Sequence, residues 1–225
     1  ALLKEAISNG LLNKVNPHRM RDELILMLKE QQPLKLIKRL DGLGGLSFIG
    51  SKFKIGKLTQ VLFKSIAKEM AWFVKNFPAR RQLDIWLVYF MALLEPLDDR
   101  QIKVAVDRFG LCKADQLRVM SYYQCRGKLI FSLSKNQVAP EKIFSLLEPL
   151  SYETIILLRA TSQNKNFKQH LADFFEIYNG MRLCVSGDDL GGLGVLPGPE
   201  YQKIFAKVLR LNLTAKLGID RKSWL

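Results

Sequence analysis

The sequence predicts an all-α fold, a multi-helix body and tail with no extended sheet. Three observations predict it. Apolar residues recur at spacings of three and four over most of the chain, and residues that start helices stand ahead of those runs. No stretch alternates apolar and polar residues for long enough to build a sheet. About ten helices are expected, with three sequence blocks: 1–32, 33–150 and 151–225.

The elements follow in order. Leu2 to Ser8 reads as an opening helix closed by Gly10. Asn16 can cap the next, with Pro17 at its first position and Met20, Leu24, Met27 and Leu28 at helical spacing. A further helix starts at Pro33 and stops in the Gly42, Gly44, Gly45 cluster. Leu62, Ile66, Met70 and Phe73 define one face of a continuous helix reaching back to Lys57. Pro78 opens another that runs through Trp86 to Leu94, and Asp98 with Gln101 three residues on forms a capping box for its successor. Pro140, Ser151 and Pro199 mark three later starts, with a Gly and Pro-rich interruption from Gly187 to Pro199. Segments such as Phe53 to Ile55 and Leu129 to Leu133 are candidates for short strands.

Composition bounds the function. At 225 residues, 48% hydrophobic and 25% charged, the chain is long enough for a real core, and disorder and collagen-like repeats are excluded. Lys and Arg number 35 against 21 Asp and Glu, a formal charge of +14 that points to a polyanionic partner. The longest apolar run, Ile85 to Leu94, lies between Asp84 and Glu95 and is far shorter than the roughly 20 residues of a membrane span, so it reads as a buried helix and no membrane partner is expected. Cys112, Cys125 and Cys184 are far apart and form no Cys-x-x-Cys pair, which suits buried thiols in a reducing cytoplasm.

Catalytic patterns are missing. Two-metal phosphoryl or nucleotidyl transfer needs carboxylates that share ions, commonly an acid-x-acid pair on a strand, and no two acids here have that spacing. Asp98 with Asp99 and Asp188 with Asp189 read as a helix cap and a turn. Gly192 and Gly194 begin a G-x-G pattern that fails at Pro197, and His18 and His170 have no ligand partner at metal spacing. No catalytic, metal or cofactor residue is assigned.

The positive signal is basic and positional. Residues 52–81 hold Lys52, Lys54, Lys57, Lys64, Lys68, Lys75, Arg80 and Arg81 against the single acid Glu69, a net +7 (eight minus one). At about 100° per residue, Lys57, Lys64, Lys68 and Lys75 fall within about 20° of one line, opposite the apolar face and with Trp72 on the flank. Two readings fit: a solvated face over a core face, or a cationic ridge that tracks a phosphate backbone. Near the end, Tyr201, Ile204, Phe205, Val208 and Leu209 make an apolar face, with Lys203, Lys207 and Arg210 as a stripe beside it. Gly198 ahead of Pro199 leaves that helix start open, either as a phosphate seat or as a plain helix start. Tyr122 and Tyr123 among Arg118, Arg126 and Lys128 are either half-buried core or a platform for bases.

Two segments carry a family resemblance. The first runs from Leu3 to Ile49: Leu-Lys-Glu-Ala-Ile, Gly10, then Val15 to Leu24 (Val-Asn-Pro-His-Arg-Met-Arg-Asp-Glu-Leu), a helix ending Lys29-Glu30, Pro33 to Leu40, and Gly44 to Ile49. The second is Ser186-Gly187-Asp188-Asp189-Leu190-Gly191-Gly192-Leu193-Gly194, followed by Pro197-Gly198-Pro199-Glu200-Tyr201. The first resembles the stretch after the catalytic head in bacterial class II tRNA nucleotidyltransferases and poly(A) polymerases, and the second resembles the tail of the A-adding branch. His18 stands where that pattern has Glu, Met20 where it has Ile, and Leu213, Thr214 and Ala215 where it has Gly.

The resemblance implies a neck, body and tail that grip tRNA by its acceptor and T arms, with Arg19 and Glu23 bracing the neck. It implies that ATP and Mg belong to a catalytic head, expected upstream of Ala1 or as a separate subunit, and that this chain is inactive alone. The residues expected to hold RNA are Lys52, Lys54, Lys57, Lys64, Lys68, Lys75, Arg80, Arg81, Gly198, Lys203, Lys207 and Arg210. The alternative is a non-catalytic helical scaffold whose charge serves acidic partners or solubility.

Overall fold

Among the described residues of the computed structural model, the regular structure is eleven α-helices and one π-helical turn, with no strand. The structure describes residue 5 and residues 15–47, 49–50, 53–180 and 185–222. Of the helix expected at Leu2 to Ser8, only Glu5, which is helical, falls among the described residues; Lys52 and Cys184 lie outside them.

The helices are α1 (Pro17–Lys29), α2 (Pro33–Gly42), α3 (Lys57–Asn76), α4 (Ile85–Leu94), α5 (Asp99–Phe109), α6 (Lys113–Leu133), α7 (Pro140–Leu147), α8 (Tyr152–Thr161), α9 (Lys165–Asp173), α10 (Gly187–Gly192) and α11 (Pro199–Lys222). The π-helical turn, Phe174–Tyr178, continues α9. They form two compact units, residues 15–127 with 150–163, and residues 128–149 with 164–222.

Local chemistry explains the helix starts. The Asn16 side chain accepts from the His18 amide with Pro17 at the first position of α1. Asp98 and Gln101 close the capping box of α5, and Ser151 and Asn164 cap α8 and α9. Asp189 accepts from the Ser186 amide while Ser186 accepts from Asp189, a second box that starts α10. Pro140 and Pro199 begin α7 and α11 as expected.

Four expectations need correction. Asp188 and Asp189 stand in the first turn of α10, which the Ser186 box starts, rather than in a turn, and Cys112 is an exposed thiol rather than a buried one. Leu129 to Leu133 is the end of α6, not a strand, and Phe53 to Ile55 is irregular. Pro78 does not open α4. The backbone there turns on Arg80 N–H to Phe77 O at 3.0 Å, and the Asp84 amide donates to Glu153 at 2.9 Å, so the segment's hydrogen bonds are taken before a helix can start.

The first unit is built around α4, whose residues from Trp86 to Leu94 are all buried, as a helix apolar on every side requires. It packs against α1, α3 and α8. In the second unit, Phe167, Leu171, Phe174, Phe175 and Tyr178 form a core with Ile143 and Leu147 of α7. His170 is buried there, its Nδ1 2.8 Å from the Leu133 carbonyl oxygen, a core histidine rather than a ligand.

α5 ends at Gly110 in the left-handed region, φ 57°. A Cβ there would stand 2.6 Å from Cε1 of His18, and the Gly110 carbonyl accepts from Arg21 at 2.8 Å. Gly110→Ala is therefore expected to cost about 1–2 kcal/mol, read as a lower urea midpoint with unchanged slope. An unchanged midpoint would contradict this account of the α1–α5 junction.

Candidate nucleic-acid interface

α3 buries one face and exposes the other. Phe63, Ile66 and Phe73 are buried and Leu62 and Met70 half-buried, while Lys57, Lys64, Lys68 and Lys75 are all exposed. At a rise of about 1.5 Å per residue the four ammonium-bearing positions span about 27 Å along the helix. Trp72 is half-buried on the flank, as expected.

The segment's single acid does not dilute this face. Glu69 is 8% exposed and accepts from Arg159 Nε at 2.6 Å, and the Arg159 guanidinium lies 3.6 Å from the centre of the Trp72 ring. The carboxylate is thus neutralised inside the unit. Counted from sequence, Glu69 subtracts from the ridge; in the fold it faces away from it.

The other expected residues divide. Lys54 is exposed and lines a concavity of about 780 Å³ with Arg100 and Arg108, two cations that spacing along the chain did not single out. Arg80 is half-buried. Arg81 also has an internal partner. Its guanidinium makes two 2.8 Å bonds to Glu153, a carboxylate with no exposed surface, and lies 4.7 Å from the Tyr152 ring centre. Its side chain is nonetheless 46% exposed beyond that pair.

Glu153 anchors a wider network. Arg118 is 3.4 Å from Glu153, donates to Asp84 at 2.6 Å and also pairs with Asp115. Burial pushes the Glu153 carboxyl upward, but the Arg81 bonds and the Asp84 amide outweigh it and hold the group at about 2. Arg118 was visible in sequence only as one of a cluster of basic residues around two tyrosines. Those tyrosines are core: Tyr122 and Tyr123 are 1% and 9% exposed, their hydroxyls donating to Glu95 and to the Met91 carbonyl, so neither offers a platform for bases.

In the second unit, Lys203, Lys207 and Arg210 are exposed on α11, and Tyr201, Ile204, Phe205, Val208 and Leu209 are half-buried beside them. No heavy atom comes within 4 Å of a Cβ built at Gly198, so the helix start is open. It is not free of negative charge, because Glu200 sits in the first turn and pairs with Lys203 at 2.9 Å; Arg210 is 3.6 Å from Glu141. α11 runs on through Leu213 to Lys222, without the turn that a Gly there would favour.

On α1, Arg19 and Glu23 lie one helical turn apart on the exposed side, with no ion-pair partner among the described residues. Arg21 ties α1 to α5 by donating to the Gly110 carbonyl at 2.8 Å, while its guanidinium also lies 3.2 Å from Nδ1 of His18 on the same helix. Among the described residues, no three His, Cys, Asp or Glu side chains are grouped to hold a metal ion, and no helix is long and apolar enough to cross a membrane.

No protein-family model matches the chain. Over 96% of its length it is 27% identical to the A-adding tRNA nucleotidyltransferase of Geobacter sulfurreducens, of which it spans 25%. Among solved structures, it is similar to a CCA-adding enzyme in complex with ATP, with a TM-score of 0.72 and 24% identity, covering 94% of this chain and 50% of that one. It is also similar to the Thermotoga maritima CCA-adding enzyme complexed with tRNA, with a TM-score of 0.70 and 20% identity, covering 96% of this chain and 54% of that one. The chain therefore spans a quarter of the curated relative and about half of the solved enzymes, and the resemblance to tRNA nucleotidyltransferases that two segments carry in the sequence extends over nearly its whole length.

Proposed function

We propose that this chain is the tRNA-holding body and tail of a tRNA nucleotidyltransferase of the A-adding branch, which adds AMP to the tRNA 3′ end. The observation that carries the reading is the α3 ridge: four exposed lysines in line, with the helix's one carboxylate turned inward. A surface of that kind holds RNA by phosphates and shape rather than by base edges.

In this reading residues 1–32 end the neck, 33–150 form the body and 151–225 the tail. The acceptor and T arms lie along Lys54, Lys57, Lys64, Lys68 and Lys75, with Lys203, Lys207 and Arg210 as a weaker second contact. Arg19 and Glu23, exposed and with no ion-pair partner among the described residues, brace the neck. A catalytic head binds ATP and Mg, and the assembled enzyme works in the cytoplasm.

One observation favours a second reading, a protein-docking scaffold. Leu58, Val61 and Val74, also on α3, are 85%, 63% and 64% exposed. A gel-shift titration with folded tRNA, competed by heparin and by unstructured RNA, separates the two. Selective retention of folded tRNA is expected; equal weak binding to every polyanion would favour the scaffold.

A further inference from the structure

A hollow in the first unit, about 780 Å³ in volume, is lined along α5, and the tRNA-holding reading uses only one residue of its lining, Lys54. Arg100, Val104 and Arg108 line it at steps of four residues, which places them on one side of α5 about 6 Å apart along its axis. Ile49, Phe53 and Leu97 add apolar surface to the same lining. Among the described residues no carboxylate lines it, and the acids exposed on α5, Asp99 and Asp107, lie outside it.

Two observations set this wall apart from an ordinary solvated face. Val104 is 56% exposed between the two arginines, although the core side of α5 is already supplied by Ile102, Ala105, Val106 and Phe109, all buried. It is no scattered surface residue, because it shares one concavity with Phe53 and Leu97. Arg100 is exposed and makes no hydrogen bond or ion pair with a described residue, whereas Arg21, Arg118 and Arg126 in the same unit all hold carboxylates. A phosphate gains nothing from the valine. A polypeptide that carries an apolar side chain between two carboxylates matches both the apolar surface and the guanidinium forks.

We propose that the α5 hollow docks an acidic segment of a partner protein, with one apolar side chain seated on Val104, Leu97 and Phe53 and a carboxylate on either side of it held by Arg100 and Arg108. The spacing fixes the form of the segment. Arg100 and Arg108 are about 12 Å apart along the helix axis, and residues four apart in an extended chain span about 13 Å. Alternate residues of an extended chain share a side, so the segment reads acid-x-apolar-x-acid with all three side chains facing α5. This inference goes beyond the tRNA-holding reading and does not rest on it.

The test follows the backbone amides of Arg100 and Val104 by NMR in the 225-residue chain, titrated with the peptide Gly-Glu-Ser-Leu-Ser-Glu-Gly. Both amides are expected to shift saturably. A control peptide with Ser in place of Leu should bind at least about fivefold more weakly, because the apolar contact is lost. A control with Gln in place of both Glu should bind about tenfold more weakly, because the charge-assisted bonds are lost. Arg100→Gln and Val104→Ser should each cost at least about threefold in affinity for the first peptide; both side chains are exposed, so the amide spectrum away from the hollow should match wild type. Silence of both amides with the first peptide, equal binding of either control, or full affinity in either variant would overturn the proposal. So would a response of these amides to tRNA and not to the peptide, which would make the hollow part of an RNA surface.

Discussion

Arg81→Ala is expected to lower the unfolding free energy by about 3 kcal/mol. Glu153 has no exposed surface, and Arg81 meets both its oxygens at 2.8 Å. Removing that fork leaves a buried carboxylate with the Asp84 amide and with Arg118 at 3.4 Å, a cation already shared with Asp84 and Asp115. The loss is that of an uncompensated buried charge rather than of a surface ion pair. Arg81→Lys should recover only part, because an ammonium cannot make the two parallel bonds.

The same pair sets an acid limb. Glu153 is held at about 2 against an ordinary 4.5, so its stabilisation is fully present above pH 4.5 and is lost as pH falls toward 2, about 3 kcal/mol in all. Urea unfolding between pH 2 and 7 should show wild type losing this increment and Arg81→Ala losing much less of it. Equal midpoints for the two proteins at pH 7 would contradict the role given to Arg81.

Lys64→Glu with Lys68→Glu is expected to weaken tRNA binding at least about tenfold at about 100 mM salt, since two phosphate contacts become repulsions. Both side chains are exposed and lie off the buried face, so the urea midpoint should stay within about 0.5 kcal/mol of wild type. Lys203→Glu with Lys207→Glu should cost less, because Lys203 already pairs with Glu200. Filter binding on all three proteins checks the order. Equal affinity of the α3 double variant and wild type would remove the ridge from the interface.

Helix existence was legible because it is local. Asn16, Asp98 and Ser151 bond to amides two or three residues away, and the four lysines of α3 share a line by helical geometry alone, whereas the box at Ser186 starts a helix in a stretch that read as an interruption. What was not legible depends on partners far along the chain. The start of α4 is displaced because the Asp84 amide meets Glu153, 69 residues on. Arg81 counted as part of the cationic segment until that same glutamate claimed it, and Glu69 counted against the segment until Arg159 drew it inward. The tyrosine pair near Arg126 favoured core by its helical spacing but left stacking open, and Glu95 and the Met91 carbonyl decide it for core.

The central claim is that the exposed lysines of α3 hold tRNA by its phosphates. The dependence of tRNA affinity on salt, measured from about 50 to 200 mM for wild type and for Lys64→Ala with Lys68→Ala, tests it most directly. Each phosphate contact contributes about 0.9 to the slope of log K against log salt, so the variant's slope should be shallower by nearly 2. Identical slopes, or a wild-type affinity that does not change with salt, would contradict it.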